Sequence, residues 1–349
     1  MTSFAGELAA HTVESPLFER LTNQRVRCLA CGLRCPIFPG LPGVCKVRFN
    51  RDGHLFVPHG YVSGLQADPI EKKPFFHVRP GSIAFSFGML GCDLHCPYCQ
   101  NWVTSQSLRD PDASTRLHPI AAEELVDLAV RSGAETVVST YNEPLITAEW
   151  AVTVFSMARQ RGLRTAFVSN GNATPEVLEF LRPHLNIYKV DLKSFDDSSY
   201  RRLGGRLQPV LDSLERIHRM GFWLEVVTLV VPGFNDSPKE LAAAAHFLAD
   251  ISPDIPWHVT AFHQNYKMTS ANDTPAATLL SAAAIGRQAG LHYVYAGNLP
   301  GQTGRHEDTH CPACSATLIR RRGFRILENR LRDGCCPDCS HSIPGVWSL

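Results

Sequence analysis

The central part of the chain, from about Ser82 to Asn298, alternates short β-rich runs with amphipathic helical segments. Repeated strand–helix units of this kind predict a parallel sheet with helices packed on its faces. The predicted strands cover residues 82–89, 136–141, 165–170, 187–194, 223–231, 257–263 and 293–298. The predicted helices cover residues 121–133, 148–162, 175–185, 211–221, 239–252 and 277–290.

Seven strands with six intervening helices are too few for a closed eight-fold barrel and suit an open one. A doubly wound sheet is the competing topology. In both architectures the chemistry collects at the C-terminal ends of the strands, so functional polar residues should end strands. We therefore predict an α/β chain with a partial (β/α)6 barrel at residues 81–302, a Cys-rich N-terminal segment at 1–80 and a zinc-ribbon-like domain at 303–349.

Polar side chains do follow four of the predicted strands. One such strand end could simply cap the following helix, but four ends meeting at one edge are harder to explain by capping. The sequence therefore predicts a binding site at this edge. The segments are Tyr141-Asn142-Glu143-Pro144, Ser169-Asn170-Gly171-Asn172, Asp191-Leu192-Lys193 and Phe262-His263-Gln264.

The 12 cysteines fall into three clusters. No cysteine lies between Cys99 and Cys311, where buried structural cysteines would also be expected. The clustering therefore favours metal sites over disulfides or core thiols. The clusters are Cys28, Cys31, Cys35 and Cys45; Cys92, Cys96 and Cys99; and Cys311, Cys314, Cys335, Cys336 and Cys339.

The middle cluster, Cys92, Cys96 and Cys99, has C-x3-C-x2-C spacing directly after the first predicted strand. Three thiolates leave one iron of a four-iron cluster without a protein ligand, and an open iron is a reaction site. The alternatives are a zinc knuckle lacking one ligand and three buried cysteines.

The C-terminal cluster follows a zinc-ribbon pattern, because Cys311-x2-Cys314 and Cys336-x2-Cys339 are two knuckles separated by a β-rich stretch. Four thiolates close a tetrahedral site, which indicates a structural zinc; a second iron-sulfur cluster is the alternative. Cys335 is surplus, although it could replace Cys336 as a ligand. The arginine-rich stretch at 320–332 is better explained as a solvated basic face than as a nucleic-acid contact.

The N-terminal cluster has C-x2-C-x3-C-x9-C spacing on a segment rich in proline and glycine. Such an irregular segment would hardly fold without a metal. Zinc and an auxiliary four-iron cluster both fit Cys28, Cys31, Cys35 and Cys45, and the spacing does not decide between them.

Charge and hydropathy exclude some classes of protein. The formal net charge is +1 over 349 residues, so no global field recruits nucleic acid or a membrane. Met1-Thr-Ser-Phe begins no signal peptide, and no apolar run is long enough to span a bilayer. With this many cysteines, we expect a reducing, cytoplasmic location.

The central cysteine spacing, with Tyr98 before the last cysteine, resembles the signature of the radical S-adenosylmethionine (SAM) enzymes. The resemblance implies that SAM chelates the open iron through its amino and carboxylate groups and that its sulfonium is cleaved reductively. It also implies that Tyr98 packs near the adenine. A one-electron donor such as flavodoxin or ferredoxin would be needed.

The strand ends resemble the glycyl-radical-activating branch of that superfamily, which includes pyruvate formate-lyase activase. The resemblance implies that Glu143 and the backbone near Asn142 hold the SAM ammonium group, although Tyr141 and Asn142 replace two glycines of the family motif. An early helix position is the alternative for Glu143. Asn170 is a candidate for the ribose hydroxyls or a turn residue.

The remaining SAM contacts implied by the resemblance are Asp191, Lys193 and His263. Alternation along a strand places Asp191 and Lys193 on the same side, so an ion pair without a ligand is the alternative. His263 matches a histidine near the ribose and methionine portion of SAM. Lys72 and Lys73 are candidates for the substrate side.

Further segments resemble the radical SAM component of the AmmeMemoRadiSam system. They are the stretches 68–74, 297–301, 328–331 and 343–347. The resemblance implies Memo-like and AMMECR-type partner proteins. The predicted activity is reductive cleavage of SAM to a 5'-deoxyadenosyl radical that abstracts hydrogen from an unknown substrate. The alternatives are an activase acting on a protein glycine and a non-catalytic zinc-binding module.

Overall fold

A computed structural model describes residues 4–113 and 115–348 of the chain. Most of the Met1-Thr-Ser-Phe segment considered above lies outside the described residues. The chain divides into two compact units that interleave in sequence. Unit 1 comprises Met1–Ala67, Ala84–Tyr188 and Arg201–Phe222, and unit 2 comprises Asp68–Ile83, Lys189–Tyr200 and Trp223–Leu349.

The strands follow one another along the chain from the N-terminal segment to the C-terminal ribbon. They are β1 Thr12–Glu14, β2 Phe18–Arg20, β3 Val26–Cys28, β4 Pro36–Ile37, β5 Phe49–Arg51, β6 His54–Pro58, β7 Tyr61–Val62, β8 Gly64–Pro69, β9 Ile83–Gly88, β10 His118–Pro119, β11 Ala134–Ser139, β12 Arg164–Ser169, β13 Ile187–Asp191, β14 Trp223–Val230, β15 Trp257–Ala261, β16 Val294–Gly297, β17 Thr309–His310, β18 Thr317–Arg322 and β19 Arg325–Asn329.

The α-helices lie mainly between the parallel strands. They are α1 Phe4–Ala10, α2 Trp102–Ser105, α3 Ala122–Arg131, α4 Ala148–Gln160, α5 Pro175–Leu181, α6 Asp197–Arg202, α7 Leu207–Arg219, α8 Pro238–Ile251 and α9 Ala276–Gln288. Short 3-10 helices cover Ile70–Lys72, Pro144–Thr147 and Gly304–Glu307. None of the described helices combines the length and apolar character needed to cross a membrane.

The predicted alternation is confirmed: the seven predicted strands are β9 and β11 to β16, and the six predicted helices are α3 to α5 and α7 to α9. The strand predicted at 187–194 is shorter than expected and ends at Asp191. Beyond it, the Lys193 N–H donates to Tyr200 Oη of α6, 3.1 Å away, so the chain turns toward a helix that the sequence pattern did not reveal.

Unit 1 contains the strand order β12-β11-β9, with β11 and β12 parallel. Helix α4 buries Trp150, Val154 and Phe155 on one face, as expected for a helix that connects parallel strands. Small antiparallel sheets, β1-β6-β5 and β2-β3-β4, form its N-terminal part. A buried ion pair between Arg48 and Glu149, 2.8 Å long, ties this part to α4.

Unit 2 contains β14, β15 and β16 as parallel neighbours, with α8 and α9 between them in sequence. The antiparallel ribbon β17-β18-β19 follows. Tyr293 and Tyr295 pack with Leu318 and Ile319 of β18 in one buried cluster, so the ribbon shares a core with the last parallel strands. The predicted domain boundaries at residues 80 and 302 stay a prediction.

Candidate active site and metal centres

The central cysteines lie in the loop that follows β9. Cys96 is buried, whereas Cys92 and Cys99 are half-buried, and none of the three forms a disulfide. The Leu94 N–H donates to Cys92 Sγ at 3.4 Å, and Cys99 Sγ lies 3.2 Å from Ser105 Oγ. Tyr98 is buried between Cys96 and Cys99 in sequence. The loop therefore presents three soft donors from one short stretch of chain.

Gly88 allows the end of β9 to approach the segment after β11. A Cβ atom at Gly88 would lie 2.6 Å from the Thr140 carbonyl oxygen and 2.7 Å from Tyr141 Cβ, which is closer than real contacts allow. The Met89 N–H donates to Asn142 Oδ1 at 3.0 Å across this approach. Asn142 thus fixes the start of the cysteine loop.

Tyr141 has a backbone φ of 70°, in the left-handed region that favours glycine. A residue with a side chain pays about 1 kcal/mol for this conformation. Tyr141 is one of the two residues that replace glycines of the motif that the chain resembles. Its backbone has the left-handed conformation that glycine favours.

Glu143 ties the ends of β11 and β12 together. Its side chain is 3% exposed. Oε1 accepts hydrogen bonds from the Leu145 N–H at 3.1 Å and Ser169 Oγ at 2.7 Å, and Oε2 accepts from the Asn170 N–H at 2.7 Å. Burial, and then the nearby Asp93 carboxylate, raise the pKa of Glu143 to about 8. The contact with Leu145 shows that Glu143 also caps the short helix Pro144–Thr147.

Asp93 is a functional candidate that the sequence pattern did not single out. It is fully buried directly after Cys92. Oδ1 accepts from Asn170 Nδ2 at 2.7 Å and Oδ2 accepts from Asn172 Nδ2 at 2.8 Å. In unit 1 the structure therefore links Cys92, Asp93, Asn170 and Glu143. The only signal in the sequence was an acidic residue beside the first cysteine of the loop.

In unit 2, Asp191 at the end of β13 contacts two lysines. Lys193 Nζ lies 2.7 Å from Asp191 Oδ2, and Lys189 Nζ contacts Oδ1. Burial alone would raise the pKa of Asp191, but the two lysines outweigh burial and hold the pKa well below its usual range. The contact confirms that Asp191 and Lys193 project to the same side. Period-two alternation also places Lys189 there, although it was not predicted.

His263 follows β15 in unit 2. Its Nδ1 lies 2.8 Å from Asp273 Oδ2, and its Nε2 lies 3.2 Å from the Asn298 carbonyl oxygen. The hydrogen bond to Asp273 raises the pKa of His263. The ring is 42% exposed and has polar partners on both nitrogens.

The C-terminal cysteines form a compact ligand group. The sulfur atoms of Cys311, Cys314, Cys336 and Cys339 lie within 4.8 Å of one another. Cys311 Sγ is 3.6 Å from Cys339 Sγ, and Cys314 Sγ is 3.6 Å from Cys336 Sγ. Cys335 lies outside the group, so the structure brings Cys336 rather than Cys335 to the other three sulfur atoms, with the spacing first predicted.

The N-terminal cysteines are neighbours but not a compact group of this kind. The Cys28 N–H donates to the Cys35 carbonyl oxygen at 3.0 Å, across β3 and β4. Burial raises the pKa of the Cys31 thiol, and Asp93, Cys28 and Cys45 are near enough to raise it further. In the described residues, 4–113 and 115–348, the C-terminal cysteines bring their sulfur atoms within 4.8 Å of one another. The N-terminal cysteines do not.

One comparison with known proteins matches the central part of the chain, and another matches nearly all of it. The family model described as Radical SAM superfamily matches residues 88–245. The uncharacterized protein MJ0808 of Methanocaldococcus jannaschii is 35% identical over 334 residues, which cover 95% of this chain and 98% of that protein. The chain belongs to the radical SAM superfamily. The match includes the cysteine loop, Glu143, Asn170, Asp191 and Lys193 but not His263 or the flanking cysteines.

One further relative and one solved structure with which the chain was compared are described as activating enzymes. The isethionate sulfite-lyase activating enzyme of Oleidesulfovibrio alaskensis is 29% identical over 134 residues, which cover 37% of this chain and 43% of that enzyme. The crystal structure of a domain of pyruvate-formate lyase-activating enzyme from Bacteroides vulgatus covers 46% of this chain and 98% of that domain, with 19% identity and a TM-score of 0.42.

The residues of the loop fit the four-iron cluster and SAM that a radical SAM domain implies. Cys92, Cys96 and Cys99 form no disulfide and offer the soft donors that iron–sulfur clusters take. Beside them, Asp93 and Glu143 are two buried carboxyl groups, and the hydrogen bonds described above come to them from amide, hydroxyl and backbone donors. A cationic ligand placed near them would relieve this concentration of negative charge.

Proposed function

We propose that this chain is a SAM-cleaving enzyme whose four-iron cluster is held by Cys92, Cys96 and Cys99. The observation that carries the proposal is the loop of three cysteines, none of them in a disulfide, beside the buried Asp93 and Glu143. When bound, the cluster supplies the electron that cleaves the SAM sulfonium to methionine and a 5'-deoxyadenosyl radical, which takes hydrogen from the substrate.

The chain's own residues hold and orient the cosubstrate in this proposal. Three donors fix the two oxygens of Glu143, so its carboxylate is aimed before any ligand arrives. The Glu143 carboxyl group, fixed near the Asp93 carboxylate, attracts the ammonium group of SAM through a charge-assisted contact, and that cation would lower the pKa of Glu143 from the value of about 8 that it has without a ligand. Asn142 holds the beginning of the cysteine loop at Met89 and so maintains the position of Cys92 relative to Glu143.

Further SAM contacts are proposed on the strength of the family resemblance. They are Tyr98 for the adenine, Asn170 for the ribose, and Asp191, Lys193 and His263 for the remaining polar groups. The hydrogen bond from Asn170 to Asp93 supports a role near the cosubstrate, because it fixes the amide beside the cysteine loop. A partial (β/α)6 barrel is part of the same proposal.

We also propose that the C-terminal group binds zinc. Four sulfurs within 4.8 Å of one another match a closed tetrahedral site, since zinc–sulfur bonds of about 2.3 Å place thiolates under about 4 Å apart. A closed site has no position for substrate, so its role is to stabilise the β17-β18-β19 ribbon.

A protein glycine is the second candidate substrate. The similarity to an isethionate sulfite-lyase activating enzyme supports it, although that similarity covers 37% of this chain. On this alternative, incubation with SAM, a reductant and a partner enzyme should give a glycyl-radical doublet in electron paramagnetic resonance (EPR). Memo-like and AMMECR-type proteins, and a flavodoxin or ferredoxin donor, are proposed partners to include.

The experiment that tests the proposal is an anaerobic SAM-cleavage assay on the wild type and on Cys92→Ala, Cys96→Ala and Cys99→Ala. We expect 5'-deoxyadenosine and methionine from the wild type and none above background from the three variants. Cys335→Ala is the matched control, because Cys335 lies outside the compact ligand group, and it should retain cleavage. Cleavage retained by the three loop variants would overturn the proposal.

A further inference from the structure

The N-terminal cysteines lie on a hairpin and the loop that follows it, both in unit 1. Cys28 and Cys35 are held opposite each other, because the Cys28 N–H donates to the Cys35 carbonyl oxygen at 3.0 Å. A Cβ atom placed on Gly43 would lie 3.6 Å from Cys35 Sγ, so the loop returns to this thiol two residues before Cys45. Cys28 and Cys35 therefore lie together, and the loop that leads to Cys45 returns to them.

The distances between the sulfur atoms of these cysteines differ from those in the compact C-terminal cysteine group. A tetrahedral zinc site places its sulfurs under about 4 Å apart. The C-terminal sulfurs meet this condition, with separations of 3.6 Å. The N-terminal set does not form a group within 4.8 Å in the described part of the chain, and neither does the central loop. A four-iron cube carries its metals at its corners and so needs a wider set of thiolates.

We propose that Cys28, Cys31, Cys35 and Cys45 hold a second four-iron cluster, which passes electrons to the cluster on the central loop. Four thiolates leave no iron open, so this cluster carries electrons rather than binding SAM. It takes one electron from an external donor such as reduced flavodoxin and becomes reduced. It then gives that electron to the central cluster and returns to its oxidised state. The relay rests on the proposed function, whereas the second cluster does not.

Arg109 joins the two cysteine loops directly. Its Nη2 donates to the Val44 carbonyl oxygen at 2.5 Å and to the Cys92 carbonyl oxygen at 2.7 Å. Val44 precedes Cys45 of the N-terminal set, and Cys92 is the first cysteine of the central loop. One guanidinium nitrogen therefore bridges the two cysteine loops. The loops are therefore adjacent, as electron transfer between their clusters requires.

Gly91 brings the two backbones together at a second point. A Cβ atom on Gly91 would lie 2.8 Å from the Cys45 carbonyl oxygen and 3.0 Å from a methyl group of Val47. Its φ of 87° also favours glycine. Gly91 immediately precedes Cys92, so the backbone of Cys45 packs directly against the start of the central loop.

Cys31 is connected to the central loop by a separate route. It forms a β-bridge with Ala173, and the neighbouring Gly32 N–H donates to the Asn172 carbonyl oxygen at 2.8 Å. Asn172 Nδ2 donates in turn to Asp93 Oδ2 at 2.8 Å. Asp93 follows Cys92, so a short chain of hydrogen bonds runs from one cysteine set to the other.

The metal content tests the second cluster. Anaerobically purified full-length protein should contain about eight iron atoms and one zinc per chain, as two four-iron clusters and one zinc site imply. The triple variant Cys92→Ala, Cys96→Ala, Cys99→Ala should keep about four iron atoms. Its reduced EPR signal should not change when SAM is added, since no iron is open. A triple variant with two zinc atoms and no iron would overturn the inference.

The same preparation separates this inference from the proposed function. Four iron atoms in the triple variant, with no SAM cleavage by the wild type, would support the second cluster and refute the SAM chemistry. Conversely, SAM cleavage by a wild type that holds about four iron atoms and two zinc atoms would refute the second cluster alone.

The relay is tested with the double variant Cys35→Ala, Cys45→Ala under two reductants, because a single substitution would leave three thiolates, which are enough to hold a four-iron cluster. With reduced flavodoxin, SAM cleavage should fall at least about ten-fold, while the central cluster still gives an EPR signal that changes on adding SAM. With a small reductant that reaches the central cluster directly, cleavage should stay within about two-fold of the wild type. An equal loss with both reductants, or no loss with flavodoxin, would refute the relay. Cys335→Ala serves as the matched control.

Discussion

Replacing Glu143 by glutamine should change how the stability of the SAM-free protein depends on pH. The pKa of Glu143 is about 8, against an ordinary value of 4.5, because the carboxyl is buried beside Asp93. A raised carboxyl pKa means that stability is fully present below the unfolded value of 4.5 and is lost as pH rises through 8. At about 1.4 kcal/mol per pH unit between these values, the full loss is about 5 kcal/mol.

About half of that loss, some 2.5 kcal/mol, falls between pH 6 and pH 9. Glutamine cannot ionise, so Glu143→Gln removes this part of the pH dependence. Glutamine also has one acceptor oxygen where Glu143 accepts from three donors, which costs about 1 to 3 kcal/mol at every pH. The variant should therefore be less stable than the wild type at pH 6 and should regain about 2.5 kcal/mol relative to it by pH 9.

The assay is anaerobic urea unfolding at both pH values, and the quantity compared is the difference between variant and wild type. Glu176→Gln is the matched control, because its ion pair with Arg34 lowers the pKa of Glu176 and moves its titration away from this range. That control should show the same difference at pH 6 and pH 9. A difference for Glu143→Gln that does not change with pH would refute the argument that Glu143 and Asp93 crowd negative charge beside the cysteine loop.

Two further predictions concern unit 2. Asp191→Asn removes the carboxylate that Lys189 and Lys193 share. The Asp191 side chain is 27% exposed, so the cost should be that of a lost charge-assisted hydrogen bond, about 1.5 to 3 kcal/mol, and the melting temperature should fall. An unchanged melting temperature would show that the lysines find other partners. Cys314→Ala should lose one zinc per chain, and Cys335→Ala should keep it, as measured by metal analysis of the purified proteins. Equal zinc in both would contradict the proposed ligand set.

The sequence predicted the elements that depend on local pattern. Apolar and β-branched runs placed the seven central strands, although the one predicted at 187–194 is shorter, and spacing predicted the compact group of C-terminal cysteines. Only the structure decides whether Cys335 or Cys336 joins the C-terminal group, because both have an acceptable spacing from Cys339. Lys189 could have been predicted, because it lies two residues before Asp191 on the same face of β13.

Other features depend on contacts between distant segments and left no local pattern. Asp93 is defined by hydrogen bonds from Asn170 and Asn172, which lie about eighty residues away in the chain. The bridge that Arg109 makes between Val44 and Cys92 likewise has no counterpart in any spacing rule. The backbone of Tyr141 is a further example. A tyrosine gives no signal of the left-handed conformation that the structure shows at this position.

The most direct test of the central claim is pulsed electron–nuclear double resonance on the reduced protein with SAM labelled at its amino nitrogen and carboxylate. If Cys92, Cys96 and Cys99 leave one iron open, the labelled atoms bind that iron and show hyperfine coupling to the cluster. Cys96→Ala should abolish the coupling. A reduced wild-type protein that binds labelled SAM without any coupling would contradict the account.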